Sequence, residues 1–212
     1  MLIALAPCAA ATEVTGASQA GPVEPAWILQ QLVRPVPART PFVELRSSAM
    51  LKTPLRVQGE YRRPDQDTLV REVRSPYAET TTIRAGRATI ARAGRAPRSF
   101  ALSRAPELEG LQASFGALLG GDHPSLQQQY RLQASGTHQR WTLVMAPREA
   151  GLGARLRGIT LHGQDDELLC IETRPAGDAP VQRTLLAGAA LAAADVDTEQ
   201  ALAALCQDGP VR

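Results

Sequence analysis

The run Leu55-Arg56-Val57-Gln58-Gly59-Glu60-Tyr61-Arg62-Arg63-Pro64 alternates apolar and polar residues and then carries the alternation onto an arginine. Side chains of a strand point alternately to opposite faces, so Leu55, Val57, Gly59 and Tyr61 share one surface while Arg56, Gln58, Glu60 and Arg62 share the other. Arg63 continues the odd, apolar series. A guanidinium turned toward an apolar interior is costly unless it is hydrogen-bonded, so Arg63 is either a satisfied structural group or a latch in a cavity.

The period of two holds from about residue 43 to Leu102. Val43 and Leu45 alternate with Glu44 and Arg46; the Leu55 strand follows, then Leu69 to Arg74, Thr80 to Arg84, Ala88 to Arg92 and Arg98 to Leu102. The breaks at Arg63-Pro64-Asp65, Ser75-Pro76, Ala85-Gly86 and Ala93-Gly94 are turn chemistry. Short strands joined by tight turns predict an antiparallel meander. Strands resume at Tyr130 to Ala134, at Arg140 to Met145 with Trp141, Leu143 and Met145 on one face, at Ile159 to His162, at Leu168 to Thr173 and at Arg183 to Leu186.

Helical signals are few. Pro25-Ala26-Trp27-Ile28-Leu29-Gln30-Gln31-Leu32-Val33 reads as a short helix with Trp27, Ile28 and Leu32 on one side, ended by Arg34-Pro35-Val36-Pro37. After the sixth strand, Leu108, Leu111, Phe115, Leu118 and Leu119 follow i, i+3, i+4 spacing and stop at Gly120-Gly121. Asp122 is placed to cap a short turn through Leu126, and Thr198 to cap a last helix carrying Leu202, Leu205 and Cys206 behind the Ala-rich stretch 187–194. These elements predict an α+β chain: a curved antiparallel sheet whose apolar face is covered by helices. If the helices are too few to fill the concavity, an apolar pocket remains, the usual shape of a lipid or small-ligand site.

A length of 212 residues and a hydrophobic content of 44% suit one globular domain. Residues 1–11 are apolar and small, too short to span a bilayer, and read as the core of a secretory signal. Small-x-small sites follow at Ala11 and Ala20, and Ala20 fits better, giving residues 1–20 as signal peptide and 21–212 as the domain. Cys8 follows a proline, a poor fit to a lipidation box. Without Cys8, the pair Cys170 and Cys206 in an oxidising compartment fits a disulfide or two buried free thiols, and the sequence leaves both open.

Catalysis finds no constellation. His123, His138 and His162 show no metal spacing with another His, Cys or carboxylate, and neither a Gly-x-Ser-x-Gly elbow nor a phosphate loop occurs. Asp165, Asp166 and Glu167 cluster in an expected hairpin turn. The chain therefore reads as a non-enzyme without metal or cofactor. Arg84, Arg87, Arg92, Arg95 and Arg98 form a basic run with no interleaved aromatic to stack a base, which argues against nucleic acid and leaves a solvated face or an anionic partner. The net charge of +2 is small, and Lys52 is the only lysine.

The order of these motifs resembles a family. An N-terminal helix, a strand of the form Pro-Leu-x-Val-x-Gly-Glu-x-x-Arg-Pro, a further strand, the Ser-Pro turn, a hairpin, an amphipathic helix, then Arg140-Trp141-Thr142-Leu143-Val144-Met145-Ala146-Pro147 and Leu156-Arg157-Gly158-Ile159 are similar to the LolA-like periplasmic outer-membrane lipoprotein carriers, over about Trp27 to Leu186. The resemblance implies an unclosed β-barrel with helices as a lid over a hydrophobic cavity, and a monomer that shields acyl chains of a lipoprotein or lipid cargo between an inner-membrane donor and an outer-membrane acceptor. It also implies periplasmic localisation. By motif, the arginine that holds the family's lid maps to Arg63. Leu55, Val57, Tyr61, Phe100, Phe115, Leu118, Leu119, Trp141, Leu143 and Met145 are the expected cavity lining. The Ala-rich tail with Cys206 departs from the family's usual C-terminal strand and loop, which marks a divergent branch and leaves the cargo open. A sensor of the same fold that reports stray lipid or lipoprotein to a partner is the alternative function.

Overall fold

The structure, a computed structural model, describes residues 22–46, 55–104 and 118–210. Helix α1 (Pro25–Leu32) precedes strands β1 (Ala38–Arg46), β2 (Leu55–Arg63), β3 (Thr68–Ser75), β4 (Glu79–Arg84), β5 (Arg87–Arg92) and β6 (Arg98–Ala101), then a 3-10 turn (Leu102–Arg104). Helix α2 (His123–Gln129), β7 (Tyr130–Gly136), β8 (Arg140–Pro147), helix α3 (Ala150–Gly153), β9 (Leu156–Gln164), β10 (Glu167–Pro175) and β11 (Gln182–Leu186) follow, and helices α4 (Ala187–Ala192) and α5 (Glu199–Asp208) end the chain. The candidate signal segment with Cys8, and Leu108, Leu111 and Phe115 of the amphipathic helix, lie outside the described residues; residues 118–120 are helical.

All 11 strands form a single antiparallel sheet in the order β6-β5-β4-β3-β2-β1-β11-β10-β9-β8-β7. Two meanders are joined where β1 pairs with β11 through Phe42 opposite Leu186. The sheet does not close: β6 and β7 are its two ends. The hairpin turns use the expected chemistry, and Ala85 and Gly86, both at positive φ, make the tight link from β4 to β5.

One face carries the main core. Val57 and Tyr61 of β2, Leu69 and Val73 of β3, Trp141, Leu143 and Met145 of β8, and Ile159 and Leu161 of β9 bury their side chains there. Helix α1 covers it with Ile28, Leu29 and Leu32, while Trp27 is half-buried and meets the His138 ring edge-on at 4.4 Å. Proline in the first turn needs no N–H partner there, and the Val33 N–H closes the helix onto the Gln30 carbonyl. Asp122 caps α2 by accepting from the Ser125 N–H at 3.2 Å, and Thr198 caps α5 by accepting from the Ala201 N–H at 3.3 Å.

The opposite face differs from the sequence expectation of a solvated surface. Helices α4 and α5 cover it over β1, β10 and β11, burying Val43, Leu45, Leu169, Cys170 and Leu185 against Ala189, Ala193, Leu202 and Cys206. Val43 and Leu45 therefore serve this second core. Glu44, expected on the polar face, points instead into the main core beside Phe42. The arithmetic of alternation was right, but with both faces covered it could not say which series was inner.

Candidate functional site

Arg63 ends β2 with its side chain on the main core face, opposite Ala38 of β1, and is only 5% exposed. Its Nη1 donates to the Leu119 carbonyl at 2.8 Å and to the Arg34 carbonyl at 3.4 Å. The Arg34 N–H reaches the same Leu119 carbonyl at 3.1 Å. One guanidinium thus joins three separate pieces: strand β2, the chain leaving α1, and the helical turn 118–120. The Arg34 guanidinium in turn donates to the Asp166 carbonyl in the β9–β10 turn, so the exit of α1 is fastened at both sides.

Among the described residues no carboxylate lies in ion-pair range of Arg63. Burial alone pushes its pKa below the ordinary arginine value. A cation held by backbone carbonyls near the C-terminal end of a helix is favourably placed, but each such contact is modest, about 1.5–3 kcal/mol for a hydrogen bond to a charged group.

A second polar group lies deeper on the same face. Glu44 of β1 takes Arg71 of β3 at 2.9 Å, Tyr61 of β2 at 3.4 Å and Thr184 of β11 at 3.3 Å. Arg71 is 6% exposed and its guanidinium lies 4.6 Å from the centroid of the Phe42 ring. Burial, with the Glu44 carboxylate beside it, pushes the Tyr61 phenol well above its ordinary range. Four strands supply these groups, so their partners fix strand register at the centre of the sheet. Sequence reasoning did not find this cluster: Glu44 reads with Arg46 on a polar strand face, and Arg71, in one series with Leu69 and Val73, was not singled out.

Of the expected lining residues, Val57, Tyr61, Leu118, Trp141, Leu143 and Met145 are buried in the main core, and Leu55, Phe100 and Leu119 pack against it half-buried. Phe115 lies outside the described residues. The Trp141 ring sits over Gly163, directly opposite on β9, and its Nε1 donates to the Asp165 carbonyl at 2.9 Å. In the described conformation this face is packed side chain against side chain.

Cys170 of β10 and Cys206 of α5 are bonded, with S–S 2.03 Å and Cα–Cα 5.1 Å, which fastens the last helix to the second face. Arg56 supports the same helical unit by donating to the carbonyls of Ala193 and Val196. The arginine run is mostly solvated: Arg84, Arg87, Arg95 and Arg98 are exposed, while Arg92 pairs with Glu79 and lies over the Tyr77 ring.

A family model described as outer membrane lipoprotein carrier protein LolA-like matches residues 17–209. No curated protein matches the chain in sequence. Among solved structures, the crystal structure of a LolA superfamily protein from Nitrosomonas europaea matches at 10% identity and TM-score 0.40, over 78% of this chain and 92% of that one. The unclosed sheet with its helices is the LolA-like fold, and the family is one of carrier and binding proteins, not enzymes, that work in the periplasm. With the family match running through nearly all of the described residues, this chain belongs to the LolA-like outer membrane lipoprotein carrier protein family.

Proposed function

We propose that this protein is a periplasmic carrier that buries the acyl chains of a lipoprotein or lipid cargo against the main core face of its sheet and passes them toward the outer membrane. The observation that carries this reading is Arg63: a buried guanidinium on an apolar face, bonded to two carbonyls of the covering elements. The described conformation is the closed one. In it α1 fills the face with Ile28, Leu29 and Leu32, which are nearly inaccessible.

The energetics suit transfer rather than storage. Burying an acyl chain gains about 0.8 kcal/mol per methylene. Displacing α1 gives back the burial of its apolar side chains, about 1.5–3 kcal/mol each, plus the Arg63 contacts. Cargo entry and lid opening offset each other, so net affinity stays moderate and the cargo can leave.

Arg63→Leu tests the reading. Leucine suits the apolar surroundings, so the fold should lose little, and the melting temperature should move by only a few degrees. Losing the lid contacts shifts the closed-to-open equilibrium by roughly tenfold to a hundredfold. Stopped-flow measurement with a fluorescent fatty acid or lipopeptide should show faster uptake and altered release of that order. Equal loss of melting temperature and of binding would make Arg63 merely structural and remove the support for this reading.

A further inference from the structure

From Thr80 to Arg104 the chain holds six arginines and no aspartate or glutamate. The segment supplies most of β4, all of β5 and β6 and the 3-10 turn behind them, so it makes up one end of the unclosed sheet. Arg92 pairs with Glu79. Arg84, Arg87, Arg95, Arg98 and Arg104 are exposed, and among the described residues no carboxylate lies in ion-pair range of any of them.

The neighbouring strands treat the same residue type differently. On β1, β2 and β3, Arg39 meets Glu60 at 3.4 Å, Arg62 meets Glu72 at 2.9 Å and Arg74 meets Glu72 at 3.0 Å. Beyond β3 the neutralising partners stop. Arg84 even stands directly opposite Arg87 across the β4–β5 pair, a placement that costs stability by repulsion. The nearby carboxylate of Asp65, in the β2–β3 turn, is taken up by the Thr68 hydroxyl at 3.1 Å and the Asp67 N–H at 3.0 Å.

These charges line the margin of the sheet rather than one pocket. Arg84 and Arg87 flank the β4–β5 turn, and the Leu102 N–H, bonded to the Gly86 carbonyl at 2.9 Å, brings the turn that ends in Arg104 to the same end. Arg95 and Arg98 lie at the opposite end, where β6 begins opposite Ile90. The length of β5 separates the two groups by roughly 17 Å. That span exceeds a single phosphate or carboxylate and asks for negative charge spread over a surface. Protein partners are usually gripped by aromatic or arginine anchors in desolvated pockets. The one aromatic of this segment, Phe100, is half-buried against the main core, and the side chains between the two arginine groups are the small Thr82, Thr89 and Ser99.

We propose that this end of the sheet docks on an anionic membrane surface, with Arg84, Arg87, Arg95, Arg98 and Arg104 against the lipid phosphates. Each arginine near such a surface strengthens partition by about fivefold, so the attachment is additive, screened by salt and reversible. It goes beyond the carrier reading and holds whether or not the main core face takes up acyl chains.

The test mixes the whole protein with large vesicles of phosphatidylcholine and phosphatidylglycerol, and with vesicles of phosphatidylcholine alone, and reads the bound fraction by co-sedimentation at low and high salt. The protein should bind only the phosphatidylglycerol vesicles and leave them as salt rises. Arg84→Gln with Arg87→Gln should weaken partition about 25-fold, and adding Arg95→Gln with Arg98→Gln should leave no measurable binding. Arg155→Gln with Arg157→Gln removes the same charge from exposed positions at the start of β9 and should change partition by less than about twofold. All these positions are exposed, so circular dichroism should show every variant folded. No binding to the phosphatidylglycerol vesicles, binding that survives high salt, or an equal loss in the Arg155 and Arg157 variant would each overturn the proposal. Binding to soluble polyglutamate with none to the vesicles would also overturn it, assigning this end of the sheet to an acidic protein.

Discussion

Glu44→Ala lowers the free energy of unfolding by about 3–5 kcal/mol, the cost of leaving a buried ion pair with one partner. Arg71 is then held on the core face above Phe42 with no carboxylate to answer its charge, and Tyr61 and Thr184 lose their acceptor. The loss comes from the charge left behind more than from the bond removed. Replacing both partners, Glu44→Met with Arg71→Met, should therefore recover most of the stability, because an apolar pair of similar volume is often neutral or better in such a place. Urea unfolding of the two single variants and the double variant measures this directly. A double variant as unstable as the sum of the singles would show that register, not unpaired charge, is what the cluster supplies.

Trp141→Ala is the second large loss, about 3–5 kcal/mol for truncating a fully buried tryptophan. The ring is 1% exposed, and it fills the space where the residue opposite has no side chain: a Cβ on Gly163 would stand 2.0 Å from Cζ2 of the indole. Gly163→Ala alone should cost about 1–3 kcal/mol as overpacking. In the Trp141→Ala background the same change meets a vacancy and should cost close to nothing. Such coupling between touching residues is what a double-mutant cycle reads by calorimetry or denaturant titration. Additive losses would mean that the strand, and not the ring, is what excludes a side chain at Gly163.

Much of the sheet was legible because its strands obey a simple rule. β2 alternates cleanly, so its sequence alone puts Leu55, Val57, Tyr61 and Arg63 on one face, and the turns at Ala85-Gly86 and Ala93-Gly94 punctuate the meander. The rule lost its power at the sheet's centre. In Phe42-Val43-Glu44-Leu45 the even and odd series go to different cores, and Val43 with Leu45 was the more apolar pair. Phe42 was the signal for the other side. The continuous run Leu168-Leu169-Cys170-Ile171 was a further sign of two covered faces. It contains a β-bulge that puts Leu169 and Cys170 together on the second face.

The arginine latch was legible in its position but not in its partners, since carbonyls of Arg34 and Leu119 come from elements whose packing no local pattern reveals.

The central claim is that the main core face takes up acyl chains. Native mass spectrometry of the protein purified from the periplasm, with solvent extraction of whatever it carries and a second spectrum after incubation with lipopeptide or fatty acid, tests it most directly. The account predicts an acylated molecule bound one to one, whether co-purified or added, whose occupancy or exchange rate changes in Arg63→Leu. A clean apo mass, unchanged by lipopeptide or fatty acid, would contradict it and leave Arg63 and the apolar face as ordinary structure.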